Sequence, residues 1–291
     1  MVEPVLEVRD LKKRLGDFEI KGLSFTLERG YIMGFIGPNG AGKTTTIKLI
    51  MNLIKKDGGF IKIFGLDNSI EKNSVKIRDR IGVVFGENVF YEELTVREMK
   101  EVIAPLYSRW DDGAFEMYLK RFSLPAKRKI KELSKGMKVK LALAIALSHD
   151  AELLIMDEPT SGLDPIVRSE FLEILSDFIQ DEGRSVFFST HITSDLDKIA
   201  DFITFIDEGS LVFSSPKDDL FEEYALVKGP KAVLNPETQK YFVGLKEHQF
   251  GIEGLIRNRE EFKKKVKDKV VFERPALEDI MFYFTRGKKN V

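Results

Sequence analysis

The apolar positions in the first sixty residues follow two different periods. Residues 23–28 alternate between apolar and polar side chains, which predicts a half-buried strand. The apolar run Tyr31–Ile36 is typical of a strand that is buried on both faces. An apolar stripe at helical spacing follows, at Ile47, Ile50, Met51 and Ile54. This stripe predicts a helix that begins at Thr44 and ends at Gly58-Gly59.

The pattern changes again further along the chain. Residues 94–150 contain few strand-like runs and are predicted to be mainly helical. A helix is predicted over Ile166–Gln180, and strands are predicted at Glu152–Asp157, Ser185–Ser189 and Phe202–Asp207. Because strands and helices alternate, we expect an α/β fold with a parallel sheet. Beyond Ser214 the composition shifts, and only a basic run, Lys263–Lys269, and a terminal helix, Ala276–Phe284, stand out.

Composition and charge narrow the possible functions. The chain has 291 residues, enough for one large domain with an appendage. Its 46 Lys and Arg residues against 47 Asp and Glu residues argue against a general nucleic-acid binder, and the basic run is interpreted as a solvated face. The absence of cysteine excludes disulfides, thiolate zinc sites and a cysteine nucleophile. No apolar run approaches the ~20 residues that span a bilayer, so we expect a soluble intracellular protein.

A glycine-rich segment lies between the buried strand and the first helix. It fits the phosphate-loop pattern Gly-x4-Gly-Lys-Ser/Thr, and its residues are Gly37, Pro38, Asn39, Gly40, Ala41, Gly42, Lys43 and Thr44. Glycines let successive N–H groups turn toward phosphate oxygens, and the helix N-terminus adds partial positive charge. Lys43 can reach the outer phosphates, the Thr44 hydroxyl can hold Mg²⁺, and Thr45 follows as a further contact. The alternative is a strand–helix turn with a surface lysine, which the flanking strand and helix disfavour.

Two carboxylates follow a second apolar strand. Asp157 and Glu158 come directly after Leu153–Met156, at the sheet edge where the phosphate loop is also expected. Asp157 would hold Mg²⁺ through water, and Glu158 would orient and deprotonate the attacking water. Such a pair is often plain solvated surface, but its combination with a phosphate loop favours the catalytic interpretation.

Five elements in order and spacing make the sequence resemble the ATP-binding subunits of ABC transporters over roughly residues 5–215. They are the Walker A loop Gly37–Thr44, the signature-like Leu133–Met137, the Walker B pair Asp157-Glu158, the D-loop Ser161–Asp164, and His191 after the strand Val186–Thr190. The resemblance implies a P-loop NTPase (RecA-like) core with a parallel sheet. It also implies a small antiparallel β subdomain from residues 1–33 and 59–65, and a helical subdomain at about 88–150. Residues 1–215 would then form the ATP-binding domain, and residues 216–291 a C-terminal accessory region.

The resemblance also implies roles and partners. Lys43, Glu158 and His191 would be catalytic, with ATP and Mg²⁺ as cofactors. The signature residues Ser134, Lys135 and Gly136 would act on the ATP of a second ATP-binding subunit, identical or not, and Asp164 would belong to the D-loop. A separately encoded membrane permease would be the partner, with this chain peripheral on the cytoplasmic face of the membrane and no nucleic acid bound. The single ATPase unit with a short C-terminal extension looks most like the bacitracin-type drug-export branch.

The sequence departs from the family pattern in three places. The signature has Lys135 and Met137 in place of Gly and Gln. Gly86 stands where the Q-loop glutamine is expected, and Glu87 beside it is the candidate replacement for the Mg²⁺ contact. The aromatic residue that stacks on adenine is replaced by Leu15, so adenine would meet Leu15 or Phe18.

Two other functions stay open at this point. A soluble ABC ATPase acting on nucleic acid or ribosomes would usually carry tandem ATPase units or a long coiled coil, and the sequence has neither. A regulatory module with weakened catalysis would explain the altered signature and Q-loop. It is opposed by the retained residues Lys43, Asp157, Glu158 and His191.

Overall fold

Three β-sheets organise the chain in the computed structural model, which describes residues 3–181, 183–266 and 269–286. The strands are β1 (Leu6–Leu15), β2 (Phe18–Leu27), β3 (Ile32–Ile36), β4 (Gly58–Ile63), β5 (Leu66–Asp67), β6 (Ile81–Phe85), β7 (Leu153–Asp157), β8 (Ser185–Thr190), β9 (Phe202–Asp207), β10 (Ser210–Pro216), β11 (Tyr224–Gly229), β12 (Phe242–His248), β13 (Gly251–Arg257) and β14 (Val271–Glu273). The helices are α1 (Lys43–Ile50), α2 (Glu71–Arg78), α3 (Val96–Ile103), α4 (Asp112–Arg121), α5 (Lys135–Ser148), α6 (Pro165–Phe178), α7 (Thr193–Ile199), α8 (Lys217–Glu223), α9 (Pro236–Gln239), α10 (Arg259–Val266) and α11 (Leu277–Arg286).

The central sheet has six strands in the order β10-β9-β3-β8-β7-β6. All neighbouring pairs are parallel except β10 with β9, which confirms the predicted α/β fold. Strand β3 is buried on both faces, as predicted from its apolar run. Ile32 and Ile36 belong to one hydrophobic core, and Met33 and Phe35 belong to the core on the opposite face. The sheet therefore separates two cores, and its strand ends define one edge for the site.

Helix α1 is shorter than the apolar stripe predicts. It ends at Ile50 rather than at Gly58-Gly59, which instead begin β4. The side-chain amide of Asn68 donates to the carbonyls of Leu49 and Ile50, at 3.0 and 2.9 Å. Asn52 has a left-handed φ of 53°, which cannot continue an α-helix. The extension of the helix to Gly58 was therefore wrong, because a side chain from a later turn satisfies the last carbonyls.

A small antiparallel sheet covers one face of the core, with the order β2-β1-β4-β5. Strands β1, β2 and β4 lie almost entirely within the predicted segments 1–33 and 59–65, whereas β5 follows them and residues 32 and 33 begin β3 of the central sheet. Its buried residues share a core with Met33, Phe35 and the inner face of α1. The backbone N–H of Lys21 donates to the carbonyl of Gly209 at 2.8 Å, which ties this sheet to the turn between β9 and β10.

The segment between β6 and β7 is mainly helical, as predicted, and contains α3, α4 and α5. Helix α5 packs against α4 and β6, and most of its residues from Val139 to Ser148 are buried. Within the described residues, no helix combines the length and apolar character that crossing a bilayer requires.

The C-terminal segment forms a third sheet that the sequence did not predict, in the order β12-β13-β11-β14. One face packs against α10 through a core that contains Val227, Ile256 and Phe262. The other face contributes Leu226 and Leu255 to the main core beside α11. Helix α11 confirms the predicted terminal helix. The lysines at 263–265 are exposed on α10, whereas residues 267 and 268 of the basic run lie outside the described residues.

Candidate functional site

The predicted phosphate loop connects β3 to α1 at the edge of the central sheet. Gly42, which precedes the helix, has a φ of 108°, and a Cβ atom there would lie 2.6 Å from Ile20 Cδ1. Only glycine fits this conformation and this close approach. Lys43 begins α1, is 7% exposed, and its Nζ donates to the carbonyl of Gly37 at 2.8 Å. The small sheet therefore supports the loop at Gly42, and the loop itself holds the lysine through the carbonyl of Gly37.

The outer side of the loop remains accessible. Asn39, Gly40 and Thr44 are exposed, and Thr45 is half-buried in the first turn of α1. The free N–H groups of a helix N-terminus and its partial positive charge favour anions at this position. The arrangement therefore matches what binding of a phosphate chain requires.

The Walker B carboxylate is held by the neighbouring strand. Asp157 ends β7 opposite Ser189 of β8, and the Ser189 hydroxyl donates to Asp157 Oδ1 at 2.5 Å. Asp157 is buried. Ser189 was missed at the sequence level, although a polar residue near the carboxyl end of a buried strand is a usable signal. Its hydroxyl orients one carboxylate oxygen of Asp157.

Glu158 lies between the other two residues that were predicted to be catalytic. Its Oε1 is 3.3 Å from Lys43 Nζ, and its Oε2 is 2.6 Å from Nδ1 of His191. Its backbone has a φ of 49°, and its N–H donates to the carbonyl of Ser189 at 3.0 Å. The structure therefore brings together Lys43 from the start of α1, Glu158 from the end of β7 and His191 from the end of β8.

A carboxylate in this position can accept a proton from water while an imidazole N–H holds its second oxygen. The donor set also fits Mg²⁺, which takes one or two protein oxygens and leaves its remaining positions to water and phosphate. Asp157 and the exposed Thr44 hydroxyl would supply those oxygens, since the Ser189 contact occupies only one oxygen of Asp157. Within the parts of the chain that the structure describes, no cluster of three or more acidic or histidine side chains forms a metal site of its own.

The signature residues lie at the start of α5. Ser134 is the N-cap, and its hydroxyl accepts from the backbone N–H of Met137 at 3.2 Å. A Cβ atom on Gly136 would lie 3.1 Å from Cγ1 of Val167, so this turn packs closely against α6. The signature thus lies beside the helix that follows the D-loop.

The D-loop itself contacts the signature. Lys135 Nζ lies 3.1 Å from the position that a Cβ atom on Gly162 would take. Asp164 caps α6, and its carboxylate accepts from the N–H groups of Ile166 and Val167 at 3.1 and 3.0 Å. The structure places the predicted signature and D-loop residues side by side in one chain.

Steric crowding explains why glycine, and not glutamine, occupies position 86, where the Q-loop glutamine was expected. The N–H of Gly86 donates to the carbonyl of Asp157 at 2.8 Å, and a Cβ atom on Gly86 would lie 2.3 Å from the carbonyl oxygen of Glu158. A glutamine here would displace the backbone of the Walker B strand end. Glu87 is exposed and lines a groove of about 290 Å³ together with Phe90, Lys135 and Lys138.

The candidate adenine contacts lie at the end of the β1–β2 hairpin. Leu15 and Phe18 are paired across the turn, and Leu15 is 44% exposed. The ring of Phe18 is half-buried against the core of the small sheet. Its Cζ would lie 2.8 Å from a Cβ atom on Gly42, so the ring lies directly under the phosphate loop.

This chain resembles, in sequence and in structure, known proteins that are described as ATP-binding components of transport systems. A family profile described as "ABC transporter" matches residues 20–161. The Bacitracin transport ATP-binding protein BcrA of Bacillus licheniformis is 35% identical over 257 residues, covering 85% of this chain and 83% of that protein. The ABC transporter ATP-binding protein YtrB of Bacillus subtilis is 30% identical over 225 residues, 77% of this chain and 76% of that protein. A solved structure described as the ATP binding subunit of an ABC transporter shares 29% identity at a TM-score of 0.68, covering 75% and 92% of the two chains.

Proposed function

The chain belongs to the family of ABC transporter ATP-binding proteins, and from this premise we propose that it dimerises around ATP and powers a separate membrane permease. It is an ATPase subunit of this family, and an α/β chain with a phosphate loop. We further propose a closed dimer, an export direction, and roles for the residues of the phosphate loop, the Walker B strand end, the signature and the D-loop.

The observation that carries the proposal is the position of Glu158 between Lys43 and His191. A solvated surface carboxylate would have no reason to lie within hydrogen-bond reach of both a buried lysine and an imidazole. In phosphoryl transfer the protein mainly positions the reactants and stabilises charge. A carboxylate held at the end of the phosphate loop suits the water that attacks the terminal phosphate.

In the proposed reaction, the backbone N–H groups of the loop Gly37–Thr44, other than Pro38, which has none, and the Lys43 ammonium bind the phosphates of ATP. Thr44 and Asp157 would hold Mg²⁺, which neutralises charge on the phosphate oxygens when bound. Glu158 accepts a proton as the water oxygen bonds to the γ-phosphorus and the bond to the β-phosphate oxygen breaks. His191 donates a hydrogen bond to Glu158 and holds its carboxylate oriented toward the attacking water. Loss of a general base typically costs about 10²–10⁴ in rate.

The second subunit would supply the remaining donors. The Ser134 hydroxyl and the N–H of Gly136 open α5, where the helix N-terminus favours an anion. We propose that they bind the γ-phosphate of the ATP held by the other subunit, with Lys135 and Asp164 at the same interface. Hydrolysis removes the bridging phosphate, so that the closed dimer loses the ligand that favours it.

For the permease, we propose the groove between Phe85–Phe90 and α5 as the docking site. Val89 of this segment is an exposed apolar side chain, and further ones follow it at Tyr91, Val102 and Leu106. Such exposed apolar groups favour a protein partner. The match to BcrA favours a drug exporter, with this subunit peripheral on the cytoplasmic face of the membrane. Residues 1–215 would form the ATP-binding domain, with residues 216–291 as its accessory region.

The direct test is ATP hydrolysis by a Lys43→Ala variant. We expect loss of turnover by about 10²-fold or more, because the lost ammonium stabilises charge on the transferring phosphate. Lys48→Ala is the matched control, since Lys48 is an exposed lysine one turn further along the same helix. Wild-type turnover in the folded Lys43→Ala protein would refute the phosphate-loop assignment.

A further inference from the structure

Asp195 is a buried carboxylate that the proposed mechanism does not use. It lies in the first turn of α7, four residues after His191, and its side chain is 0% exposed. A buried charge is costly unless it is paired and hydrogen-bonded. Both oxygens of Asp195 are paired: Oδ2 accepts from the Thr160 hydroxyl at 2.7 Å, and Oδ1 accepts from Arg168 Nε at 2.5 Å.

The two partners of Asp195 flank the D-loop. Thr160 directly precedes Ser161, and Arg168 lies one turn into α6, four residues after Asp164. Arg168 also donates to the Ser194 hydroxyl at 2.7 Å, so the start of α7 is held at two neighbouring residues. Asp195 therefore fixes both ends of the D-loop to the segment that carries His191.

The same two segments also meet at the catalytic residues. His191 contacts Glu158 at 2.6 Å, and Glu158 lies only two residues before Thr160. The two segments, 158–168 and 191–195, are therefore joined at two places. Glu158 contacts His191 at their first residues, and Thr160 and Arg168 contact Asp195 at the last residue of the second segment. Displacement of one segment must displace the other or break a buried ion pair.

We propose that Asp195 is a positioning residue that couples the D-loop to His191 and thereby aligns Glu158 for hydrolysis. This inference rests on the proposed function, in which the D-loop faces the second subunit. Contact with that subunit would be transmitted through Thr160, Asp195 and Arg168 to the start of α7. Because Asp195 is buried and both its oxygens are paired with protein groups, it would act through these neighbours and not on the reactants.

The test uses three variants and separates turnover from binding. Thr160→Val keeps the side-chain volume and removes one donor, Asp195→Asn weakens the bond to Arg168, and Asp197→Asn is the control. Asp197 lies on the same helix, but its carboxylate has other partners, namely Lys217, Arg274 and the backbone N–H of Leu277. We expect kcat to fall by about 10²-fold in the first two variants, as small misplacements of catalytic groups do. The KM for ATP should stay within roughly twofold, because the phosphate loop is untouched.

A purely structural role would give a different result. In that case Asp195→Asn would lower the midpoint of thermal unfolding while the folded fraction kept its turnover, and the inference would be overturned. Should Asp195→Asn fail to fold, Thr160→Val decides, because it leaves the ion pair with Arg168 intact. A folded Thr160→Val protein with wild-type kcat overturns the inference, whereas a wild-type protein without ATP turnover contradicts the proposed function instead.

Discussion

Among single residues, His149 shows how burial changes the chemistry of a side chain. It lies fully buried at the end of α5, and its ring stacks on Tyr107 with the ring centroids 3.8 Å apart. Burial lowers the pKa of His149 to about 4, although the nearby charge of Asp79 opposes the shift and Arg109 adds to it. The ring is therefore neutral in the folded protein near pH 7.

The sign of the pH dependence follows from this lowered pKa. The unfolded chain has the ordinary histidine pKa of about 6.5 and binds the proton first as the pH falls. The contribution of His149 to the free energy of unfolding is fully present above pH 6.5 and is lost progressively as the pH falls from 6.5 to 4. At about 1.4 kcal/mol per unit of pKa difference, the loss from this residue is about 3 kcal/mol by pH 4.

We predict that His149→Phe flattens the dependence of the free energy of unfolding on pH between 6.5 and 4. Phenylalanine can stack on Tyr107 but binds no proton. The measurement is urea unfolding at a series of pH values. His248→Phe is the control, because His248 is exposed on β12. Equal slopes for the wild type and His149→Phe would contradict the assignment.

Among the elements, α3 and α5 begin with comparable caps but have different proposed roles. Thr95 caps α3 in a reciprocal arrangement with Glu98, and Ser134 caps α5. Removal of either hydroxyl should lower the free energy of unfolding by about 1 kcal/mol. Only Ser134 is proposed to donate to a γ-phosphate.

We therefore predict that Ser134→Ala and Thr95→Ala lose similar stability, while Ser134→Ala alone loses ATP turnover. Removal of one donor to developing negative charge costs about 10²–10³ in rate. Thermal unfolding and steady-state ATPase measurements on the same preparations provide both quantities. Equal turnover in the two variants would exclude Ser134 as a phosphate contact.

The central sheet and the phosphate loop could be predicted because their patterns are local. The run Tyr31–Ile36, the glycines and Lys43 all lie within a few positions of one another. The end of α1 could not be predicted, because it depends on Asn68, which lies 18 residues beyond the helix end at Ile50. The third sheet was missed although Leu226 and Val227 of β11 are buried in different cores, as neighbouring residues of β3 are. Unlike Tyr31–Ile36, this short apolar run is followed by no glycine-rich motif that marks it as a strand.

In the candidate site, too, features that depend on neighbouring positions in the sequence could be predicted, and features that depend on distant contacts could not. Asp157 and Glu158 could be predicted because they stand at the end of an apolar strand, whereas His191 was predicted from the resemblance to the ABC family. Ser189 and Asp195 were not found, because their contacts depend on which strands and helices are neighbours in space. That order, β3-β8-β7, cannot be read from the chain order.

For the whole molecule, the proposed dimer gives the most direct prediction. Glu158→Gln should accumulate a closed dimer in the presence of ATP and Mg²⁺, because ATP still binds but water is not activated. Size-exclusion chromatography with and without ATP measures the effect. Glu173→Gln, which alters an exposed glutamate on α6, is the control. A Glu158→Gln protein that stays monomeric when saturated with ATP would count against the dimer.

Helix α11 has a consequence for the order in which the protein is made. Its Phe284 packs against Phe205 of β9, Phe213 of β10 and Tyr224 of β11, at centroid distances of 6.2, 5.6 and 5.7 Å. The ribosome adds Phe284 about 70 residues after Phe213, which takes roughly 4–14 s at ordinary rates of synthesis. During that interval the aromatic faces of β9 and β10 lack their cover on the nascent chain. The aromatic side chains of β9 and β10 are therefore covered only after α11 has been synthesised. A translation product that lacks α11 would leave these side chains exposed and prone to aggregation.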